Sequence, residues 1–218
     1  MFTGIIEEKG RVTGAVREGG GVRLTVEAPS SASELHVNDS VPLNGACQTV
    51  IAKSGRTFTV QAVEETLSKT TLGEFAPGTE INLELPLRLN ERLGGHLVLG
   101  HVDCVGTVAG VEEKESSHLI RIAFPAPFAK YVIPVGSIAV DGISLTVAAT
   151  EGNEFTVSII PHTLSTTTLA GARAGMRVNL EFDVIGKYIE RLVAGERSQD
   201  AAPASITAEK LRAWGYKI

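Results

Sequence analysis

Short runs of apolar residues, many of them β-branched, follow one another along most of the chain, and Gly, Pro, Asn and Ser interrupt them. Runs of this length between such breaks are typical of β-strands. Helical turns are predicted near residues 31–35 and 127–131, and the Thr-rich segments 67–72 and 164–169 are predicted to be loops or single turns. Strands are predicted in the first part of the chain at residues 10–16, 22–28, 48–52, 57–62 and 79–85.

This pattern occurs twice. Residues 41–86 and 138–183 align without a gap and are identical at 18 of 46 positions, including Asn82-Leu83-Glu84 against Asn179-Leu180-Glu181. Upstream, with one residue of slippage, Gly4 aligns with Gly100. The period is too long for a solenoid, so each copy is predicted to be a complete small β-barrel or sandwich. Residues 89–96, with a Gly pair, are predicted to form a flexible joint between the copies.

After the second copy the apolar period becomes helical, with Ile185, Ile189, Leu192 and Val193 on one stripe and Gly195 as the predicted stop. A short terminal helix with one apolar stripe either docks on its own barrel or associates with copies of itself. Residues 196–205 are predicted to be a linker. Thr207 is predicted to cap a last short helix that runs through Trp214.

Composition excludes several classes of protein. The net charge of -5 without a basic run argues against nucleic acid as a partner. The N-terminus has no basic n-region, and no apolar stretch is long enough to span a bilayer, so neither a signal peptide nor a membrane span is predicted. The chain has only two cysteines, Cys47 and Cys104, so neither a disulfide framework nor a zinc site is supported. A reducing cytoplasm is therefore the expected location.

The candidate chemistry lies in two related turns. Asp141-Gly142-Ile143-Ser144 in the second copy corresponds to Asn44-Gly45-Ala46-Cys47 in the first, and Asp/Asn-Gly is a strong turn signal. The two turns are alike but carry different reactive atoms, the hydroxyl of Ser144 and the thiol of Cys47, which suggests two similar pockets with different chemistry. Taken alone, the Asp141 segment is more simply a hairpin turn, and Cys47 more simply a small buried apolar residue.

Two histidines and one aspartate are further candidates. His96 and His101 are five residues apart, which is not the spacing of a helical metal pair, and histidines beside glycines are often turn residues. Asp183 stands where the first copy has Pro86, and a carboxylate gained by only one copy favours a function. Dinucleotide, P-loop and nucleophile-elbow motifs do not occur. The residues alone therefore indicate two related β-domains that bind a small ligand.

The order and spacing of several motifs resemble the riboflavin synthase family of the alpha-chain type, from Met1 to about Val193. The motifs are Met1-Phe2-Thr3-Gly4-Ile5, residues 44–50, Glu65-Thr66-Leu67, Gly94-Gly95-His96, Gly100-His101-Val102-Asp103 and residues 141–147. The resemblance implies an all-β fold of two tandem, duplicated, six-stranded Greek-key barrels with a C-terminal helix. The implied domains are residues 1–96, residues 97–186 and a helix with its tail over residues 187–218.

The resemblance also implies the reaction, in which two molecules of 6,7-dimethyl-8-ribityllumazine exchange a four-carbon unit. The products are riboflavin and 5-amino-6-(D-ribitylamino)uracil, and neither a cofactor nor a metal takes part. It further implies a homotrimer whose active sites lie between the N-barrel of one subunit and the C-barrel of the next. The resemblance also allows an association with a lumazine synthase.

Site residues follow from the resemblance by position. His101 is expected to transfer protons, Ser144 and Cys47 to deliver or activate nucleophile and water, Asp183 to position them, and Phe2 to close the site. The N-barrel pocket is expected to comprise Gly4, Ile5, Ile6, Cys47, Gln48, Thr49, Gln61, Ala62, Val63, Glu64, Glu65 and Thr66. The C-barrel pocket is expected to comprise Gly100, His101, Val102, Ser144, Leu145, Thr146, Ser158, Ile159, Ile160, Pro161, His162 and Thr163.

Two positions depart from the family pattern: Gln48 stands where many members have Leu, and Val135 where many carry a Lys that can reach a ligand. The main alternative is a lumazine or flavin carrier of the same fold, such as the lumazine proteins of luminous bacteria, which do no chemistry. A flavin-dependent reductase barrel is a weaker alternative, because no nucleotide-binding domain follows.

Overall fold

The computed structural model describes residues 1–199, 211–212 and 214–215. Residues 1–184 form one compact unit that contains two six-stranded antiparallel sheets in tandem. The first contains β1 (Glu8–Glu18), β2 (Gly21–Glu27), β3 (Ser40–Leu43), β4 (Ala46–Ser54), β5 (Thr57–Ala62) and β6 (Glu80–Leu83). The second contains β7 (Cys104–Glu113), β8 (His118–Ala123), β9 (Ser137–Val140), β10 (Ile143–Glu151), β11 (Glu154–Ile159) and β12 (Arg177–Phe182).

Both sheets have the same strand order. The first runs β3-β4-β5-β2-β1-β6, and the second runs β10-β11-β8-β7-β12-β9 and closes through β9 and β10 into a barrel. The second strand of each copy pairs with the fifth and not with the third, so the chain crosses over as a Greek key does. The predicted all-β fold of two duplicated six-stranded barrels is confirmed.

The strands bend at the same places in the two copies. Register shifts between Val50 and Ala52 in β4, and between Val147 and Ala149 in β10, mark equivalent bulges. Bulges increase the local twist and allow a short sheet to curl around its own core. Each core is filled by the buried apolar residues of its strands, and its largest side chains include Phe58 in the first barrel and Phe155 and Phe182 in the second.

Short helices connect the strands: α1 (Pro29–Glu34), α2 (Glu64–Lys69) and α3 (Pro161–Thr166), with 3-10 turns at Thr71–Glu74, Ala126–Tyr131 and Thr168–Gly171. Residues 67–72 and 164–169, predicted to be loops or single turns, contain the last turn of α2 or α3 and the start of the following 3-10 turn; the helices begin three residues before the predicted segments. Threonine hydroxyls stabilise their ends: Thr70 donates to the Thr66 carbonyl and Thr167 to the Thr163 carbonyl, each at 2.7 Å.

The second unit, residues 185–218, contains α4 (Val184–Gln199). The predicted stop at Gly195 was wrong, because the helix continues for one more turn and takes in the start of the predicted linker. One glycine costs a helix only about 1 kcal/mol and need not end it. Most of the predicted linker and of the predicted helix from Thr207 to Trp214 lies outside the described residues. None of the described helices is both long and apolar enough to cross a membrane.

Candidate functional site

The two barrels meet through their equivalent turns. Asn44-Gly45 joins β3 to β4 and Asp141-Gly142 joins β9 to β10, and all four residues have positive φ between 44° and 79°. Two-residue turns of this kind require φ > 0 at both positions, which explains the Asn-Gly and Asp-Gly pairs. A Cβ on Gly45 would lie 2.6 Å from the Gly142 nitrogen, so the turns pack backbone against backbone.

Asn82 of β6 and Asn179 of β12 hold this contact together. The side chain of Asn82 donates to the Asp141 carbonyl at 3.0 Å and accepts from the Thr168 N–H at 2.8 Å. Asn179 makes the equivalent bonds from the second barrel to the first: its side chain donates to the Asn44 carbonyl and accepts from the Thr71 N–H, each at 2.8 Å. The two copies are thus related by an approximate two-fold axis, and residues separated by 97 positions have equivalent surroundings.

Two irregular segments lie beside this contact and are here called the crossing segments. One is the N-terminal segment, and the other is the segment that leads into the second barrel. They pair with each other through Phe2 and Val98, whose backbones exchange bonds of 2.7 and 3.1 Å. Buried Glu84 binds the N–H groups of Thr3 and Gly4, and Glu181 binds those of Leu99, Gly100 and His101 (2.6 to 3.0 Å). The Asn-Leu-Glu block repeated in the sequence therefore fixes the barrel contact and both segments.

Each segment also bonds to the edge of the opposite barrel. The Ser144 N–H donates to the Gly4 carbonyl at 2.8 Å, and the Cys47 N–H donates to the Gly100 carbonyl at 2.9 Å. In the same way Ile6 packs on the core of the second barrel and Val102 on that of the first. The expected grouping was therefore wrong: Gly4, Ile5 and Ile6 belong with Ser144, and Gly100, His101 and Val102 belong with Cys47. Sequence position alone does not reveal such an exchange.

A cleft of about 190 Å³, here called the first cleft, opens beside Cys47. Six of the expected residues line it, together with Ala46, Lys69 and Thr70, which were not expected. Burial raises the pKa of the Cys47 thiol, against a hydrogen bond with Ser40 that lowers it, so the group is a neutral thiol at physiological pH. The expected residues at the cleft are Cys47, Glu65, Thr66, Gly100, His101 and Val102.

The remaining residues expected in this region lie nearby on β4, β5 and the start of α2. Gln48 is buried, and its side chain donates to the Cys47 carbonyl at 2.6 Å. Thr49, Gln61, Val63 and Glu64 are exposed, and Ala62 is part of the barrel core. An ion pair between Glu65 and Lys69 lies at the cleft.

Ser144 has a different partner from its equivalent Cys47. Its Oγ lies 2.7 Å from Nδ1 of His96, a side chain only 8% exposed. We call this pair of side chains, together with Gly4, the Ser144 site. Burial lowers the pKa of His96, and the charge of Asp183 opposes the shift, so the imidazole is neutral at physiological pH and can accept a proton from Ser144.

His96 is the principal residue that the sequence interpretation missed, since it was considered as a metal ligand and as a turn residue but not as a partner of Ser144. The signal was the Gly94-Gly95 pair before it. A Cβ on Gly95 would lie 2.2 Å from the Thr3 carbonyl oxygen and 2.7 Å from the Ser144 Cβ, so only glycine lets this segment reach Ser144. His101 does not lie with Ser144; it is an exposed residue of the first cleft.

The remaining expected residues occupy the edge of the second barrel. Leu145 is partly buried against its core, and Thr146 and Ser158 are exposed on the strands. Ile159 is buried, Ile160, Pro161 and His162 are exposed at the start of α3, and Thr163 is the equivalent of Thr66 in the first cleft. Among the described residues no group of three His, Cys, Asp or Glu side chains is placed to hold a metal ion.

Phe2 does not close a site within this chain. Its side chain is 0% exposed and packs with Val98 and Ala139 and against Cys47, in a small core between the barrels. Gly100 is constrained by this packing, because a Cβ there would lie 2.5 Å from the Cys47 Cβ and 3.1 Å from the Phe2 ring. In the described chain, Phe2 therefore positions the two crossing segments.

The lumazine-binding domain family model matches the chain twice, at residues 3–86 and 99–183. A riboflavin synthase of Mycobacterium tuberculosis is 46% identical over 198 residues, covering 88% of this chain and 98% of that protein. The chain belongs to the riboflavin synthase family. A riboflavin synthase of Actinobacillus pleuropneumoniae is 38% identical over 99% of this chain and all of that protein, and one of Bacillus subtilis is 37% identical over 88% of this chain and 90% of that protein.

Solved structures agree with the fold. LumP complexed with riboflavin superposes with a TM-score of 0.77 at 23% identity, covering 84% of this chain and 99% of LumP. LumP complexed with 6,7-dimethyl-8-(1'-D-ribityl) lumazine gives a TM-score of 0.75 at 22% identity, covering 83% of this chain and 98% of LumP. At this identity the likeness establishes the architecture of two barrels and carries nothing about chemistry.

Proposed function

We propose that this protein is a riboflavin synthase that converts two molecules of 6,7-dimethyl-8-ribityllumazine into one riboflavin and one 5-amino-6-(D-ribitylamino)uracil. The observation that carries the proposal is the 38% identity to a riboflavin synthase over 99% of the chain and all of that relative. The geometry agrees with a reaction of two identical substrates in unequal roles, because equivalent sites have formed around Cys47 in one barrel and around Ser144 in the other.

The reaction needs a proton removed from the C7 methyl of one lumazine and a nucleophile added at C7 of the other. The Ser144 Oγ, bonded to neutral His96, suits delivery of a nucleophile or water with His96 as general base. The Cys47 thiol, held neutral by burial, suits donation of a hydrogen bond more than attack as a thiolate. His101 of the first cleft remains our candidate for proton transfer at the lumazine bound there.

Binding would use the exposed strand edges and the starts of α2 and α3. Backbone groups there suit the alternating donors and acceptors of a pteridine, and hydroxyls such as those of Thr66 and Thr163 suit a ribityl chain. No side chain in either site needs to supply the whole rate enhancement. Holding two reactants face to face removes an entropic barrier, so loss of a single group can leave partial activity.

We further propose that the protein acts as a homotrimer, with the first cleft of one subunit facing the Ser144 site of the next. The support is α4, which exposes Ile185, Ile189, Leu192 and Val193 by 44 to 69%. Removing such a stripe from contact with water is favourable by about 25 cal/mol per Å² of apolar surface buried. The proposed domains are residues 1–96, 97–186 and 187–218. A cytoplasmic location suits a protein whose two cysteines, Cys47 and Cys104, form no disulfide.

The test is incubation of the purified protein with 6,7-dimethyl-8-ribityllumazine alone, with lumazine and riboflavin followed by chromatography. One riboflavin should form for every two lumazines consumed, with no cofactor added. Ser144→Ala is the matched variant, since it removes only the hydroxyl, and it should bind lumazine while forming riboflavin much more slowly. Tight lumazine binding without any riboflavin would replace the proposal with a ligand carrier.

A further inference from the structure

The carboxyl group of Asp141 is unusual among the described residues. It lies in the turn between β9 and β10, three residues before Ser144, and it is fully buried at the contact between the barrels. Its Oδ1 accepts from the Asn179 N–H at 2.8 Å, whereas its Oδ2 is shielded from solvent and has no hydrogen-bond partner. An ionised carboxylate left in this way would carry a large cost, because burial disfavours an uncompensated charge.

The first barrel shows what this position requires. Asn44 is the equivalent of Asp141, and its Oδ1 accepts from the Asn82 N–H at 2.7 Å just as Asp141 accepts from Asn179. The remaining atom of the Asn44 side chain is an uncharged NH₂ donor. A carboxylic acid is the closest match to a carboxamide in shape and charge, with an O–H in place of the NH₂. A carboxylate would instead place a charge at this point of the pseudo-symmetric contact.

The charged groups around the turn are already engaged with other partners. A cavity of about 430 Å³ reaches Asn44 and Asp141, and the charged side chains on its lining are Glu74, Glu80, Arg173 and Arg177. Arg177 pairs with Glu74, Glu80 pairs with Arg11 at 2.8 Å, and Arg173 donates to the Gly171 carbonyl at 3.3 Å. The groups that bond across the contact itself, from Asn82 on β6, Asn179 on β12 and the turns at Thr71 and Thr168, are uncharged.

We propose that Asp141 is a positioning residue that works as a neutral carboxylic acid, and that its proton keeps the Asp141-Gly142 turn seated against Asn44-Gly45 and so holds Ser144 at Gly4. When the proton is lost, the charge draws water or a cation to the turn. The turn then shifts, and β10 carries Ser144 with it. The claim about Ser144 rests on the proposed function, whereas the claim about the proton does not. Burial raises the pKa of Asp141 to about 7, which agrees with a group that is neutral under mildly acidic conditions.

The sign of the effect follows from linkage. In the unfolded chain the Asp141 carboxyl loses its proton near pH 3.8, and in the folded chain near pH 7. Its contribution to stability is therefore fully present below pH 3.8 and is lost as the pH rises to about 7. Above about pH 7 the loss of stability stays constant. Asp141→Asn places at this position the residue that the first barrel already uses, and it removes the titration.

The test compares the melting temperature of the full-length protein with that of Asp141→Asn from pH 4.5 to 8.5. The melting temperature of the variant should rise relative to that of the natural chain as the pH rises, by about 10 °C between these limits. This difference should level off above pH 7.5. A matched control, Asn44→Asp, puts a second acid at the equivalent position and should make the melting temperature more dependent on pH. Parallel curves for Asp141→Asn and the natural chain would overturn the proposal.

The positioning role has a separate readout. If the protein makes riboflavin, kcat of the natural chain should fall as the pH rises through about 7, with little change in KM, and Asp141→Asn should lose this fall. Identical pH profiles of kcat would overturn the positioning role. If no riboflavin forms under any condition, the proposed function fails, and the melting curves still decide whether Asp141 is held protonated.

Discussion

At the scale of single residues, the most informative difference between the two copies is the partner of the reactive side chain. Cys47 lies against Phe2 with a thiol that burial keeps neutral, and Ser144 bonds to a buried imidazole. The two groups occupy equivalent positions on β4 and β10, so their surroundings were differentiated after the duplication. This division suits a reaction in which two identical substrates play different parts.

His96 should set the acid limit of the activity. Burial lowers its pKa below 6.5, so the neutral base persists to mildly acidic pH, and kcat should fall only as the pH drops through the lowered value. Asp183→Asn removes the charge that raises this pKa, so the acid limb of the kcat profile should move to still lower pH. His96→Gln should remove the limb and most of the rate. A shift of the limb to higher pH in Asp183→Asn would contradict the assignment.

Val135 should be a source of strain. It has a positive φ of 61°, which is unfavourable for a β-branched residue, and its side chain is 80% exposed. Its equivalent in the first copy, Asn38, has a φ of 78°, which Asn tolerates well. Val135→Asn should therefore raise the free energy of unfolding by about 1 kcal/mol in urea denaturation. The reciprocal Asn38→Val should lower it by a similar amount, and equal stability of all three proteins would refute strain at Val135.

At the scale of elements, a glutamate near the end of β6 and another near the end of β12 each hold a crossing segment: Glu84 directly follows β6, and Glu181 is the last residue but one of β12. Glu84 accepts from Thr3 and Gly4, next to Ser144, and Glu181 accepts from Gly100 and its neighbours, next to Cys47. A glutamine offers one acceptor oxygen where two are needed. Each Glu→Gln change should therefore cost about 1–3 kcal/mol of stability.

The two variants should have opposite local effects, which hydrogen exchange can resolve. The Ser144 amide donates to Gly4 and should exchange faster in Glu84→Gln, with the Cys47 amide little changed. The Cys47 amide donates to Gly100 and should exchange faster in Glu181→Gln, with the Ser144 amide little changed. Equal acceleration of both amides in either variant would contradict the separate anchoring of the two segments.

These elements also define what the sequence could predict. Five of the six strands of the first barrel followed from short β-branched runs between breaks, the duplication from identity between the copies, and the two turns from Asn/Asp-Gly chemistry, whereas β3 (Ser40–Leu43) was not predicted. The exchange of Gly4 and Gly100 between the barrels did not follow, because pairing between distant segments leaves no periodic signal. His96 was missed for the same reason, as its partner Ser144 is 48 residues away. The continuation of α4 through Gly195 reflects the low cost of a single glycine.

At the scale of the whole molecule, we expect a complete active site to need two subunits. Thr66→Trp should block the first cleft, which Thr66 lines, and Thr163→Trp should block the equivalent position of the second barrel. Each variant alone should lose activity, because every site would contain one blocked half. The paired substitutions are matched in chemistry and in their place in the repeat.

Co-expression of the two variants then separates the possibilities. If each site combines the first cleft of one subunit with the Ser144 site of the next, every mixed trimer contains one unblocked site out of three. Random assembly at equal amounts should therefore restore about a quarter of the natural activity. A site contained within one chain would give no recovery. Ile189→Asp on the exposed stripe of α4 should convert the proposed trimer into monomers in sedimentation analysis and abolish this complementation, since a charged side chain opposes burial of the stripe.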